Sequence, residues 1–125
     1  MFDHVMLMVQ DKKRSLKFYE PVLNTLGHSL VHNSDEYSGF GEPGRIPLWL
    51  KQKNGERVSH HVHLAFSAAS RSIVRQFYNI ALELGGRSNG EPGVRPEHGE
   101  NYYSAYVYDL DGHNIEAVCY QKSEA

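Results

Sequence analysis

Two stretches of the sequence decide the fold, because the second repeats the pattern of the first. Residues 4–27 read HVMLMVQDKKRSLKFYEPVLNTLG, and residues 63–86 read HLAFSAASRSIVRQFYNIALELGG. When the two stretches are aligned, histidine matches histidine at the start, a Phe-Tyr pair matches a Phe-Tyr pair, and glycine matches glycine at the end. The sequence therefore predicts one domain over residues 1–125, made of two half-repeats at about 1–58 and 59–125.

Each half-repeat is predicted to open with a strand that leads into a helix. Apolar residues alternate with others over residues 5–9 and again over 62–67, which is the two-residue period of a strand with one face in the core. Asp11 and Ser70 occupy matching positions, and both are good residues for the N-terminal cap of a helix. An apolar stripe at helical spacing follows each cap, and glycine ends each stripe.

Shorter extended segments follow each helix. Residues 46–51, 103–108 and 114–120 have the pattern of strands, and the last two are joined by a tight hairpin at 109–112. Glycine, proline and asparagine at 89–93 predict turns. The order β-α-β-β-β, given twice, predicts an α+β fold in which two βαβββ repeats form a mixed, cup-shaped sheet with the helices on its outer face.

The composition excludes several classes of function. The net charge is −2 and the basic residues are scattered, so a nucleic-acid partner is not expected. No apolar run approaches the length that spans a bilayer, and the first residues lack the pattern of a secretory signal. The single cysteine, Cys119, leaves no internal disulfide and suits a reducing compartment. We therefore expect a soluble cytoplasmic protein that has no membrane partner.

Three side chains are candidate metal ligands: His4, His63 and Glu116. The two histidines hold the same place in the two repeats, on the strand face opposite the apolar side chains, and Glu116 falls on the equivalent face of the last strand. Two imidazoles and a carboxylate suit a divalent metal that keeps vacant positions. His61 shares the phase of His63 and is the alternative second ligand. Three further histidines are expected at the surface or in turns, namely His28, His32 and His113.

Over nearly its whole length the chain resembles the glyoxalase, bleomycin-resistance and extradiol-dioxygenase proteins of the vicinal oxygen chelate superfamily. The resemblance rests on residues 2–5 and 15–19, on 63–66, and on the hairpin at 109–118. The hairpin looks like the closing D-P-D-G-N-x-I-E motif of that family, with Leu110 where proline is usual. The resemblance implies a cup that holds a divalent metal (Fe, Mn, Ni, Co or Zn), with His4, His63 and Glu116 as its ligands. It also implies a homodimer, in which the ligands come from one chain or from two.

Trp49 is a departure from the pattern of many glyoxalase-type members. Those proteins have a fourth ligand on the last strand of the first half, and here that strand reads PLWLK, with Trp49 at the ligand position. A set of two histidines and one glutamate resembles the ring-cleaving dioxygenases and the thiol-transferring resistance proteins more closely. Trp49 is expected either to wall the substrate pocket, where it could stack on a substrate, or to fill the core.

A polar and aromatic segment before the penultimate strand supplies candidates for handling the substrate, because loops over a rigid sheet often carry function. His98 is a candidate general base, and Tyr102 or Tyr103 could donate a hydrogen bond to a substrate oxygen. Strand neighbours alternate, so one tyrosine should face the cup and the other the core. Arg95 could hold a carboxylate bidentately, and Asn101 is a further candidate for substrate binding. The alternative is a polar surface loop with one packed tyrosine.

Two classes of function stay open at this point. The first is a metal-dependent enzyme in which the ion acts as a Lewis acid and template. Glyoxalase-like lyase or isomerase chemistry on a molecule with vicinal oxygens is the leading form, and Fe(II) extradiol dioxygenation is the alternative. The second class is a metal-free protein that sequesters a drug or metabolite, as in bleomycin resistance, since fold alone does not decide between binding and catalysis.

Overall fold

The structure, a computed structural model, describes residues 1–55 and 58–122. It divides into two compact units, Met1–His60 and His61–Ala125. The elements of the first unit are β1 (Val5–Val9), α1 (Lys12–Thr25), β2 (Ser29–Asn33), β3 (Tyr37–Glu42) and β4 (Arg45–Gln52). The elements of the second unit are β5 (His63–Ser67), α2 (Arg71–Glu83), β6 (Arg87–Val94), β7 (Tyr103–Tyr108) and β8 (Asn114–Cys119).

Each unit contains a four-stranded mixed sheet with the same strand order. The order is β1-β4-β3-β2 in the first unit and β5-β8-β7-β6 in the second. In both sheets the first strand of the unit pairs in parallel with the last, and the remaining pairs are antiparallel. The α+β class and the βαβββ repeat predicted from the sequence are therefore confirmed.

Both helices begin at the residues that the sequence predicts. The Asp11 side chain accepts a hydrogen bond from the backbone N–H of Arg14, and the Ser70 hydroxyl accepts one from Ile73. Each bond satisfies a donor that the first turn of a helix leaves without a partner. Neither helix, nor any other in the described residues, is long and apolar enough to cross a membrane.

The core of each unit lies between its helix and its sheet. In α1 and α2 the apolar stripe is buried, and the sheets contribute the apolar face of alternating strands. Residues buried in the first unit include Leu7, Val9, Phe18, Val22, Leu23 and Leu50. Residues buried in the second include Val74, Phe77, Ala81, Val107, Ile115 and Ala117.

The turns predicted at residues 89–93 are wrong. These residues lie within β6, whose register against β7 shifts between Ser88 and Gly90 and again between Gly90 and Gly93. A shift of this kind lets one strand carry extra residues without leaving the sheet. Residues that are typical of turns are thus accommodated in a bulged strand.

Candidate functional site

The parallel pair of β5 and β8 brings two candidate ligands together. Ala65 lies opposite Glu116, and His63 precedes Ala65 by two residues and so shares its face. The His63 Nε2 atom is 3.1 Å from the Glu116 Oε1 atom. The Glu116 side chain is 2% exposed and that of His63 is 48% exposed. A buried carboxylate therefore meets an imidazole that remains accessible from solution.

The other nitrogen of His63 fixes the state of the ring. Its Nδ1 atom is 2.9 Å from the backbone carbonyl oxygen of Asn114, and a carbonyl can only accept a hydrogen bond. Nδ1 therefore carries a proton, and in the neutral ring Nε2 turns a lone pair toward Glu116. The Glu116 carboxylate is also an acceptor. Two acceptors 3.1 Å apart need either a proton between them, carried by one of the two side chains, or a metal ion bound by both.

The donor set fits a divalent metal. Imidazole nitrogen and carboxylate oxygen bind such ions at about 2.0–2.2 Å, so two neighbouring donors on one ion lie about 3–3.5 Å apart. The observed separation of 3.1 Å agrees with this arrangement. A metal-binding histidine usually donates its other N–H to a carbonyl or carboxylate, as His63 does to Asn114. The spacing of His63 and Glu116 and the orientation of the ring therefore fit the pair of ligands predicted from the sequence.

Tyr102 holds the second oxygen of the same carboxylate. Its hydroxyl donates a hydrogen bond to Glu116 Oε2, the oxygen that does not face His63. Burial of the phenol, followed by its hydrogen bond to Glu116, raises the pKa of Tyr102 well above its ordinary value of 10.0. The hydroxyl thus keeps its proton at neutral pH and remains a donor.

Two further rings contact Tyr102. The exposed ring of His98 lies 5.1 Å from that of Tyr102, measured between centroids. Tyr120 meets Tyr102 nearly at a right angle at 5.2 Å. His98 was a sequence candidate, whereas Tyr120 was missed because it follows the end of β8, where strand alternation no longer predicts a face. The predicted base and the predicted donor are therefore neighbours beside Glu116.

Arg95 and Tyr106 border the pair on another side. Tyr106 lies opposite Glu116 across β7 and β8, and its ring is 6.2 Å from that of His63. The Arg95 guanidinium lies 5.4 Å from the Tyr106 ring centroid and donates a hydrogen bond to the carbonyl of Glu91. The Arg95 guanidinium and the His63 ring therefore both lie near the Tyr106 ring. Tyr106 could have been found from the sequence, because the alternation of β7 places it two strand periods from Tyr102.

Tyr103 lies on the opposite face from Tyr102, which confirms the predicted alternation. The Arg71 guanidinium lies 4.9 Å from its ring, and the Arg75 Nη1 donates to its hydroxyl at 3.3 Å, so Tyr103 contacts α2. Asn101 is half-buried next to Tyr102. Of the two tyrosines, the structure brings only Tyr102 to Glu116.

The hairpin between β7 and β8 holds β5 and β8 in register at the His63 end through two buried side chains, Asp109 and His113. The Asp109 carboxylate accepts hydrogen bonds from the backbone N–H groups of Asp111 and His113. His113 Nδ1 accepts one from the Val62 N–H at 3.2 Å, and the Asn114 N–H donates to the Val62 carbonyl. Of the two positions expected for His113, surface or turn, the surface is wrong: His113 lies in the hairpin between β7 and β8 with its side chain fully buried, where its ring accepts the Val62 N–H. His61 precedes β5 with a left-handed backbone, at φ 52°.

His4 belongs to the first unit and precedes β1. Its Nδ1 lies 2.6 Å from the Asp3 carboxylate, and this hydrogen bond lowers the pKa of Asp3. In His4, as in His63, the contact of Nδ1 leaves the other ring nitrogen pointing away from that partner. Among residues 1–55 and 58–122, the structure assembles no group of three histidine, cysteine, aspartate or glutamate side chains that could hold a metal. The second unit thus presents two of the predicted ligands, and His4 stays a predicted third.

Trp49 occupies in the first unit the place that Glu116 occupies in the second. Met6 lies opposite Trp49, as Ala65 lies opposite Glu116, and the two pairs match in the repeat. The indole is half-buried and lines a cavity of about 380 Å³ together with His4, Met6, His32 and Tyr37. An aromatic side chain therefore occupies the position at which the family resemblance would place a fourth ligand.

Comparison with known proteins gives a family match and a consistent fold. A family model described as the Glyoxalase/Bleomycin resistance protein/Dioxygenase superfamily matches residues 1–117. A glyoxalase/bleomycin resistance protein from Albidiferax ferrireducens T118 is 33% identical with a TM-score of 0.83, over 95% of this chain and 98% of that one.

Two more distant structures share the fold. A glyoxalase-related enzyme from Fulvimarina pelagi is 21% identical with a TM-score of 0.75, over 95% of this chain and 87% of that one. A glyoxalase/bleomycin resistance protein/dioxygenase family enzyme from Burkholderia phytofirmans PsJN is 15% identical with a TM-score of 0.73, over 95% and 98%. Among curated proteins, none matches the chain.

Proposed function

Because the chain belongs to the glyoxalase/bleomycin resistance protein/dioxygenase superfamily, we propose that it is a divalent-metal-dependent enzyme of the glyoxalase-like lyase or isomerase type. Its substrate is a small molecule with neighbouring oxygen atoms. The observation that carries the proposal is the approach of His63 Nε2 to Glu116 Oε1, with the ring oriented by the Asn114 carbonyl. This is a pair of acceptors that a metal ion would satisfy.

His63 and Glu116 would hold the ion, with His4 as the third ligand by its position in the repeat. A bound divalent ion supplies a Lewis acid that polarises the oxygens of a substrate. Tyr102 restrains the Glu116 carboxylate by donating to its second oxygen. A carboxylate held by a histidine and a tyrosine loses little freedom when it binds a metal, because its geometry is already set.

The side chains around the pair have separate roles in this proposal. His98 lies against Tyr102 and is exposed, so its imidazole could take a proton from a substrate carbon or oxygen and release it to water. Arg95, stacked on Tyr106, offers a fixed positive charge for a substrate carboxylate.

The burial of Glu116 favours this enzyme over a metal-free sequestering protein. An ionised carboxylate that is 2% exposed is expensive to desolvate unless a cation or several donors satisfy it. A protein that only encloses an organic ligand has no need for a buried acid next to an oriented histidine.

The test is the divalent-metal content of protein purified without chelator, measured by elemental analysis. His63→Ala and Glu116→Gln should each lower metal affinity at least about tenfold, since each removes a ligand. His4→Ala should do the same if His4 is the third ligand. His28→Ala, an exposed histidine on a turn, is the matched control and should leave the content unchanged.

The identity of the metal then separates the alternatives. Ni, Zn, Co or Mn at near-stoichiometric content supports lyase or isomerase chemistry, whereas Fe favours extradiol-type oxygenation. Protein that binds no metal after reconstitution, or that binds it equally in the His63 and Glu116 variants, contradicts the proposal and favours a sequestering role.

We further propose a cytoplasmic location and a homodimer. The buried, unpaired Cys119 suits a reducing compartment. The dimer rests on the family resemblance alone, and sedimentation that shows only monomer would remove it.

A further inference from the structure

A row of four residues crosses the sheet of the first unit on the face that bears Trp49. The register places Met6 opposite Trp49, Trp49 opposite Gly39, and Gly39 opposite His32, so the row runs through β1, β4, β3 and β2. Residues directly opposite in paired strands share one face of a sheet. The cavity of about 380 Å³ lies on this row, with Tyr37 and His4 completing its lining.

Gly39 makes room for the indole. A Cβ atom built at this position would lie 2.7 Å from Trp49 Cζ3 and 2.9 Å from Cε3. The same Cβ would lie 2.7 Å from Ile46 Cγ2, so a side chain at this position would displace the indole, the Ile46 side chain or both. The absence of a side chain lets the indole lie across β3 toward β2. At the far side the indole meets His32, with ring centroids 5.4 Å apart.

In the second unit a glycine also makes room for an aromatic ring, but both residues lie one strand further along the row. The matching row there is Ala65, Glu116, Tyr106 and Gly90. A Cβ on Gly90 would lie 2.8 Å from Tyr106, so this glycine clears space for the ring beside the carboxylate. The second unit keeps an acid at the position where the first unit has an indole. The two halves therefore present different chemistry, ionic in one and aromatic in the other.

The aromatic cavity has the geometry of a slot for a planar ring. His32 and Tyr37 are inclined to the indole by 61° and 86°, so the slot has walls at steep angles to one another. A flat ring can stack on one wall and present its edge to another, and both arrangements are favourable for aromatic groups. The cavity volume falls within the range of small-molecule sites, about 300–1,000 Å³.

The lining also discriminates between kinds of ligand. It contains two imidazoles, an indole, a phenol and the thioether of Met6, and no carboxylate faces it among the lining residues. Met6 is 40% exposed and can adapt to the outline of a ring. A cation can bind a ring face through a cation–π interaction but finds no carboxylate among the lining residues, whereas a neutral or anionic aromatic group meets both stacking surfaces and imidazole donors.

We infer that the slot formed by Trp49, His32 and Tyr37 binds the planar aromatic ring of a small neutral or anionic molecule. Trp49, His32 and Tyr37 are not among the predicted metal ligands, whereas His4, which is one of them, also lines the cavity, so binding to the slot is tested in metal-free protein. As a statement about substrate, that the molecule transformed carries an aromatic ring, it rests on the proposed function.

The single tryptophan of the chain makes the test direct, because Trp49 is the only source of indole fluorescence. Benzyl alcohol is titrated into protein treated with EDTA, and the emission of Trp49 is followed. Cyclohexylmethanol serves as the non-aromatic probe of similar size, and choline as the cationic probe. We expect a saturable change with benzyl alcohol, at an affinity about tenfold or more above that of cyclohexylmethanol and above that of choline.

Two variants locate the binding. His32→Ala removes one wall and should weaken benzyl alcohol by about two- to tenfold, the usual worth of one aromatic contact. Gly39→Ala should weaken it at least as much, by displacing the indole. His28→Ala, an exposed histidine of the same unit, should bind as the wild type does. Circular dichroism shows whether each variant is folded, and His32→Ala carries the test if Gly39→Ala is not.

Several results would overturn the inference. These are equal affinity for the two alcohols, binding of choline alone, no saturable binding at all, or binding that His32→Ala leaves unchanged. The same titration in Glu116→Gln separates this inference from the proposed function. If Glu116→Gln loses the metal and still binds benzyl alcohol, the slot is supported independently of the metal ligands. If the wild type holds metal and does not bind benzyl alcohol, the slot is contradicted and the proposed function is not.

Discussion

The hydrogen bond from Tyr102 to Glu116 should stabilise the second unit measurably in metal-free protein. Glu116 is buried, and bonds to charged groups contribute about 1.5–3 kcal/mol. Tyr102 is only partly buried, so water can replace part of the lost bond, and we expect a coupling of about 1–2 kcal/mol at neutral pH. For a chain of this length, this corresponds to a loss of about 3–5 °C in Tm per kcal/mol.

The assay is a double-mutant cycle by urea denaturation, with chelator present. It compares the wild type, Tyr102→Phe, Glu116→Ala and the double variant, so that the cavity left by the glutamate cancels and the pairwise energy remains. Tyr103→Phe is the matched control, because its hydroxyl contacts Arg75 on the other face and should show no coupling to Glu116. A Tyr102–Glu116 coupling below about 0.3 kcal/mol would show that the bond contributes nothing and would refute the reasoning.

Three further predictions concern the same framework. Because the pKa of Tyr102 is raised in the folded protein, the unfolded chain loses this proton first, so the contribution of Tyr102 to the free energy of unfolding should be fully present below about pH 10 and fall above it. Tyr102→Phe should reduce this alkaline loss in denaturation curves taken at several pH values, and identical pH dependence in the two proteins would contradict the prediction. Asp109→Ala leaves two backbone donors without their acceptor and should lower the free energy of unfolding by about 2–4 kcal/mol, whereas Asp35→Ala, at an exposed aspartate, should change it little. Equal losses of the two variants in urea denaturation would contradict the role of Asp109 in the hairpin. Ser70→Ala should lower the free energy of unfolding by about 1 kcal/mol through loss of the α2 cap, and Ser70→Asp should be close to the wild type in the same assay. An alanine variant as stable as the wild type would show that the cap is not needed.

The sequence predicted the repeat, the helix starts and the strand faces because these depend on local spacing. Alternation alone placed Glu116 on the face of His63, and it separated Tyr102 from Tyr103. It could not place Tyr120, which lies beyond the last strand. It also could not predict the bulges of β6, because glycine and proline are typical of turns and occur in bulged strands as well.

Tertiary hydrogen bonds were equally beyond local patterns. His113 follows a turn and is polar, so its sequence context favours the surface. Its burial depends on the Val62 N–H, a partner 51 residues away. The same holds for the carbonyl of Asn114, whose role in orienting His63 is carried by the backbone and therefore leaves no mark on residue identity.

The parallel pairing of β5 with β8 also sets the order in which the second unit can acquire its chemistry. His63 and its orienting carbonyl are 51 residues apart, and the intervening helix and hairpin must be made before the two strands can meet. During synthesis at about 5–20 residues per second, His63 therefore waits several seconds for its partner strand. A nascent chain that ends before β8 should bind no more metal than one with His63→Ala, so metal loading would belong to the finished unit and not to the growing one.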